Sequence, residues 1–114
     1  MKSSPLYRDA FALCGVLLDE LDESQGCEAM VRRLTGGALR LLEQVSLALH
    51  GFARDDRLED ADAELCVLRT HLSLAMSLGK LEEGVFLDLM EQADAVGRQI
   101  GGWRKKRQHQ PGEG

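Results

Sequence analysis

The residues of this chain whose chemistry is most readily placed are cations. Arg33, Arg40 and Arg54 stand seven and fourteen residues apart. Such spacings return side chains to nearly one face of a helix. Arg32 flanks that stripe, Arg69 and Arg98 follow, and the run Arg104, Lys105, Lys106, Arg107 completes the set. Cationic groups aligned along one surface neutralise a phosphate backbone and release its counterions, so the pattern suits nucleic acid or an acidic partner. A plainer account stands beside it. A Lys/Arg run at a helix end is favoured by the helix dipole and sits in solvent, and an Arg stripe is often no more than a hydrated face.

Catalytic patterns are missing. His50, His71 and His109 lack metal-ligand spacing, and Cys14, Cys27 and Cys66 form no CxxC pair. Glu64 is followed three residues on by Val67, so the Glu-x-x-His pair of a di-iron bundle does not occur. There is no HExxH, P-loop, GxSxG, or GxGxxG after a strand. His50 as a phosphate acceptor lacks a nearby Lys-Gly pattern, and His71 reads as a surface or subunit-contact residue. The sequence predicts no enzyme activity, no cofactor and no metal. An odd cysteine count argues for a reducing compartment. The longest apolar run, Ala10 to Leu18, is nine residues, too short to span a bilayer. The N-terminus carries no convincing signal peptide. The expected location is the cytoplasm.

The elements that must carry these residues are helices. At 114 residues the chain makes one domain. Its two prolines, Pro5 and Pro111, lie at the ends, and nothing between them need break a helix. Apolar residues recur at alternating steps of three and four. Ala61, Leu65, Leu68, Leu72, Ala75, Gly79 form one stripe, and Phe86, Leu89, Ala93, Val96, Ile100, Trp103 another. A short Gly-containing link joins them as an αα-hairpin. Upstream, Val31, Leu34, Ala38, Leu41, Val45, Ala48, Phe52 form a third stripe. The first helix carries two: Leu6, Ala10, Leu13, Leu17, and Tyr7, Phe11, Cys14, Leu18, Leu21. That width fits either a helix wedged deep in its own bundle or one that buries its second stripe against another subunit. Gly36 and Gly37 interrupt the second helix, as a kink, a close helix approach or a tolerated weak spot.

The expected fold is all-α, an antiparallel up-down-up-down four-helix bundle. Its helices fall at about 5–21, 27–53, 59–78 and 82–106. Ser4-Pro5 opens the first. Residues 22–26 form a polar turn and 54–58 a charged loop, Asp60 or a neighbour caps the third helix, and Gly79 ends it. The bundle domain covers residues 1–107, with a disordered polar tail at 108–114. Charge is uneven. Residues 1–97 carry 9 basic and 18 acidic side chains, whereas residues 98–114 carry 5 and 1. This makes a basic tail on an acidic body.

A resemblance rests on Gly51-Phe52-Ala53-Arg54, on Ala61-Asp62-Ala63-Glu64-Leu65 leading to Leu68-Arg69 and Leu72, on the Leu78-Gly79 turn, and on Val96-Gly97-Arg98-Gln99-Ile100-Gly101-Gly102-Trp103. In these the chain resembles the small four-helix-bundle family that includes two kinds of protein. One is the accessory variability determinant (Avd) of diversity-generating retroelements; the other is encoded in intervening sequences of bacterial 23S ribosomal RNA genes. The Ala-Asp-Ala start and the Val-Gly-Arg, Gly-x-Trp ending favour the Avd branch. The similarity covers roughly residues 30–106, and helix one agrees in type but not by motif. The resemblance implies a homopentameric ring and a non-catalytic role. It implies binding to a reverse transcriptase and its template RNA or cDNA in mutagenic copying of a template repeat into a variable gene. Basic residues would carry the contact, Arg69 in the matched Leu-Arg pair first. The alternative is a structural or protein-interaction bundle of the intervening-sequence type without a nucleic-acid role.

Overall fold

The structure, a computed structural model, describes residues 4–21 and 28–108. It consists of four helices: α1 (Pro5–Glu20), α2 (Glu28–Leu49), α3 (Arg54–Ser77) and α4 (Glu83–Gln108), with no strand among the described residues. The polar turn expected at 22–26, Cys27, and the tail from His109 onward lie outside the described residues.

The helix ends show why the boundaries fall where they do. Ser4 caps α1, its Oγ accepting from the Tyr7 N–H at 3.0 Å, and Pro5 opens the first turn. At the end of α2 the Gly51 N–H donates to the Ala48 carbonyl and the Phe52 N–H to the Leu47 carbonyl, both at 3.0 Å. Gly51 adopts the left-handed conformation, φ 87°, that this paired C-terminal closure requires. The same closure recurs at Gly79, φ 72°, where Gly79 N–H meets Met76 O and Lys80 N–H meets Ala75 O.

Gly51 corrects the expected extent of the second and third helices. The periodicity ran on to Phe52, but the chain turns at Gly51, and Phe52 is 61% exposed. Residues 54–58 are then the first turns of α3 rather than a loop. The residue preceding that helix is Ala53, itself left-handed at φ 46° and without a side-chain cap, so neither Asp60 nor a neighbour caps α3. Asp55 and Asp56 occupy its first turn, where the dipole favours them. Gln108 belongs to α4 rather than to the tail.

Each helix packs on two neighbours: α1 and α3 both lie against α2 and α4, and the diagonal pairs bring no Cα atoms within 8 Å of each other. The body measures 53 × 24 × 22 Å. Its axis is filled by the predicted stripes: Leu6, Ala10, Leu13 and Leu17 from α1; Val31 to Ala48 from α2; Leu65, Leu68 and Leu72 from α3; Leu89 to Ile100 from α4. Leu58, read as loop, is buried in the same core. No polar or charged residue is buried among the described residues. Of the second stripe of α1 only Cys14 is buried. Tyr7 and Leu21 are half-buried, and Phe11 and Leu18 are exposed.

Candidate partner and nucleic-acid interface

The Gly36-Gly37 pair sits where α2 approaches α3. A methyl at Gly37 would lie 3.7 Å from Glu64 Oε1 of α3, and one at Gly36 would lie 3.5 Å from the Arg40 guanidinium. Arg40 lies back over the two glycines and meets Glu64 with Nε to Oε2 at 2.8 Å. The helix runs unbroken through the pair, so the glycines make no break, and an added methyl at either would meet only ordinary van der Waals contacts with these side chains. Nearer the turn, Arg57 of α3 donates to Gln44 Oε1 at 3.2 Å.

The seam of α3 with α4 holds three more of the predicted cations. Arg69 Nη1 meets Asp94 Oδ1 at 2.7 Å, and Arg104 Nη1 meets Asp62 Oδ2 at 3.0 Å. Arg54 stacks over Trp103, 5.2 Å from the ring centroid, and its Nε donates to the Ala48 carbonyl at 3.0 Å. That guanidinium supplies the end of α2 with the positive group its own last turn lacks. On the opposite side of α4, the Gln99 amide donates to Asp9 of α1.

The predicted cations therefore fall into two sets. Arg40, Arg54, Arg69 and Arg104 are engaged with partners inside the chain. Arg32, Arg33, Arg98, Lys105 and Lys106 are exposed and in no ion pair among the described residues; the side chain of Arg107 lies outside the description. The expected Arg33–Arg40–Arg54 stripe is not one stripe, because Gly51 ends α2 and Arg54 belongs to α3. Arg32 and Arg33 stand near the end of the body where α3 finishes. Lys105 and Lys106 stand at the other, beside the acid-rich start of α3.

Asp62, Glu64 and Asp94, which hold three of these arginines, were not singled out from the sequence as partners. Their signal is the heptad offset between adjoining stripes, which places an acid opposite each arginine once the helix pairing is known.

Other chemistry is sparse. His50 is exposed at the end of α2, its Nδ1–H donating to the Ser46 carbonyl at 2.7 Å. Among the described residues, no group of three or more His, Cys, Asp or Glu side chains is placed to hold a metal ion. No described helix is long and apolar enough to cross a membrane. A cleft of about 250 Å³ is lined by Leu21, Met30, Leu34 and Leu81, with exposed Glu20 and Lys80 beside them.

The residues that carry the resemblance converge. Arg54 lies over Trp103, and Gly97 faces Leu65 and Arg69, on one α3–α4 seam; Asp62 and Arg69 of the same motifs pair there with Arg104 and Asp94, which lie outside them. No known protein family, no curated protein and no solved structure matches this chain.

Proposed function

We propose that this chain is a non-catalytic accessory protein of a diversity-generating retroelement. In this reading it is an up-down-up-down bundle that forms one subunit of a cytoplasmic homo-oligomeric ring, a pentamer by resemblance. It binds the reverse transcriptase of the same element and its template RNA or cDNA. The observation that carries the proposal is that resembling residues of two helices meet on the α3–α4 seam, with Arg54 stacked on Trp103 and Gly97 set against Leu65. Scattered short motifs become one packed surface. The cross-helix pairs also support the up-down order. Arg40 meets Glu64 while Gln44 meets Arg57, and Arg69 meets Asp94 while Asp62 meets Arg104. In both cases numbers rise on one helix as they fall on the other.

The exposed cations Arg32, Arg33, Arg98, Lys105 and Lys106 are the phosphate contacts of this reading, with Arg69 and Arg104 shared between their carboxylates and the partner. The test is co-purification with the reverse transcriptase at low and moderate salt. The proposal expects retained enzyme and RNA, with RNA lost as salt rises. It also expects loss of RNA when Arg33, Arg98 and Lys105 are changed to Glu, substitutions that break no ion pair seen here. Binding of neither partner at any salt would sink it.

A second reading, a protein-interaction bundle without a nucleic-acid role, is favoured by one observation: Arg40, Arg54, Arg69 and Arg104 already hold intramolecular partners. Enzyme retained without RNA at every salt would select it.

A further inference from the structure

Phe52 stands where the fold does not need an aromatic ring. The apolar period predicts it in the core, yet it is 61% exposed, more than any other aromatic among the described residues. Phe11, the other exposed ring, is stacked against Tyr7. Phe52 has no ring or cation partner among the described residues.

The turn forms without such a ring. Phe52 closes α2 by donating its N–H to the Leu47 carbonyl, and the residue in this place of the closure often folds an apolar side chain back onto its helix. The matching closure of α3 has Lys80 there, donating to the Ala75 carbonyl. What the backbone does fix is the position of the ring. Gly51 before it and Ala53 after it are both left-handed, at φ 87° and 46°. Ala53 is the one non-glycine residue with positive φ among the described residues, and an alanine is strained in that region. Strain kept at a single residue points to function, and here it lies beside the exposed ring.

The surroundings select the ligand. Arg54 stacks on Trp103 and so brings the last turns of α4 beside this turn. Lys105 and Lys106, within one turn of Trp103, are exposed and in no ion pair among the described residues. On the other side Asp55 and Asp56 open α3 and repel an anionic chain. An open π-face with cations along one side of it suits a strand whose bases are free and whose phosphates run past the ring. A duplex keeps its bases stacked on one another and offers the ring no free face.

We infer that Phe52 is a stacking platform for an unpaired base of single-stranded nucleic acid, with Lys105 and Lys106 on the adjoining phosphates. This assignment rests on the nucleic-acid reading proposed above. It adds to that reading a contact residue, a preference for single strands, and tolerance of base sequence, since every base has a π-face.

The experiment titrates the parent chain and its variants into an oligoadenylate of about ten nucleotides carrying a central 2-aminopurine, and into the same strand annealed to its complement. Circular dichroism reads helix content throughout. The parent is expected to bind the single strand at low salt and to quench the analogue by stacking. Phe52→Ala should lower the affinity about five- to a hundredfold and abolish the quenching. Phe52→Tyr should keep both, and Phe11→Ala, at the other exposed ring, should change neither. Lys105→Glu should weaken binding and reduce its salt dependence. On the duplex the parent and Phe52→Ala should bind alike. If Phe52→Ala loses helix, Phe52→Leu takes its place, because it keeps apolar bulk and removes the π-face. A parent that binds neither strand nor duplex at any salt overturns the nucleic-acid reading and this assignment together. Salt-dependent binding and quenching that Phe52→Ala leaves intact, or that Phe11→Ala reduces equally, overturns the stacking platform and leaves that reading standing.

Discussion

Gly97 of α4 faces Leu65 of α3 so closely that a methyl group added to it would lie 3.1 Å from Leu65 Cδ2 and 3.6 Å from the Arg69 guanidinium. The missing side chain lets the two helices close around Leu65 and lets Arg69 pass to Asp94. A bulky residue there has to displace a fully buried leucine. Gly97→Leu should therefore cost about 1–3 kcal/mol in chemical denaturation, as overpacking does. Gly101 on the same helix has nothing within 4 Å of the same position. Gly101→Ala should gain up to about 1 kcal/mol from helix propensity alone. Equal effects at the two sites would refute the close-approach account.

Trp103 is the only tryptophan in the chain, and it lies under Arg54 at the turn between α2 and α3. Its emission reports on whether that turn is held against α4. Arg54→Ala removes the stacked cation and the donor to Ala48, with an expected cost of about 1–3 kcal/mol and a red shift of the fluorescence. An unchanged spectrum would mean that the stacking does not persist in solution.

Arg40 and Glu64 form the ion pair of closest geometry across the α2–α3 interface, with Glu64 largely covered and Arg40 partly so. A double-mutant cycle with Arg40→Met and Glu64→Gln should give a coupling of about 0.5–1 kcal/mol, because solvent screens the exposed side. The coupling should shrink in high salt. A value of zero at low salt would reduce this pair to a surface coincidence.

Cys14 supplies a pH signature. Burial pushes its thiol from 9.0 up to about 11, with the Leu42 backbone acting weakly the other way. The native state then keeps a proton that the unfolded chain has released. Stability falls as pH rises from 9 to 11, by at most about 1.4 kcal/mol per pH unit, and this contribution is complete below pH 9. Cys14→Ala should flatten that part of the melting-temperature profile relative to the parent. In the native protein a thiol reagent should modify exposed Cys66 and spare Cys14; equal rates at both would contradict the burial.

Much of the fold was legible because a helix core repeats. The 3/4 spacing identified Leu65, Leu68 and Leu72, and Leu89, Ala93, Val96 and Ile100, as core, and all are buried. Gly79 was legible as a helix end because the apolar pattern stopped beside it. Gly51 was not, because Ala48 and Phe52 kept the period across it, and a left-handed glycine leaves no mark in a hydrophobicity pattern. The cations were legible as residues but not as arrangements. Whether an arginine faces solvent or a carboxylate depends on which helix lies beside it, and Glu64, Asp62 and Asp94 acquire their meaning only from that pairing.

The wholly apolar interior has a consequence for how such a molecule changes over generations. Apart from the Cys14 thiol, which donates to the Ala38 carbonyl of α2, this core has no polar registration marks and accepts exchange among Leu, Ile, Val and Met at roughly constant volume. A lineage can rewrite most of its interior without refolding. The positions under tight constraint are instead Gly51 and Gly79, which need a left-handed backbone, and Gly97, which must leave room for Leu65. In descendants of this chain, three glycines and the seam between α3 and α4 should outlast the leucines they organise.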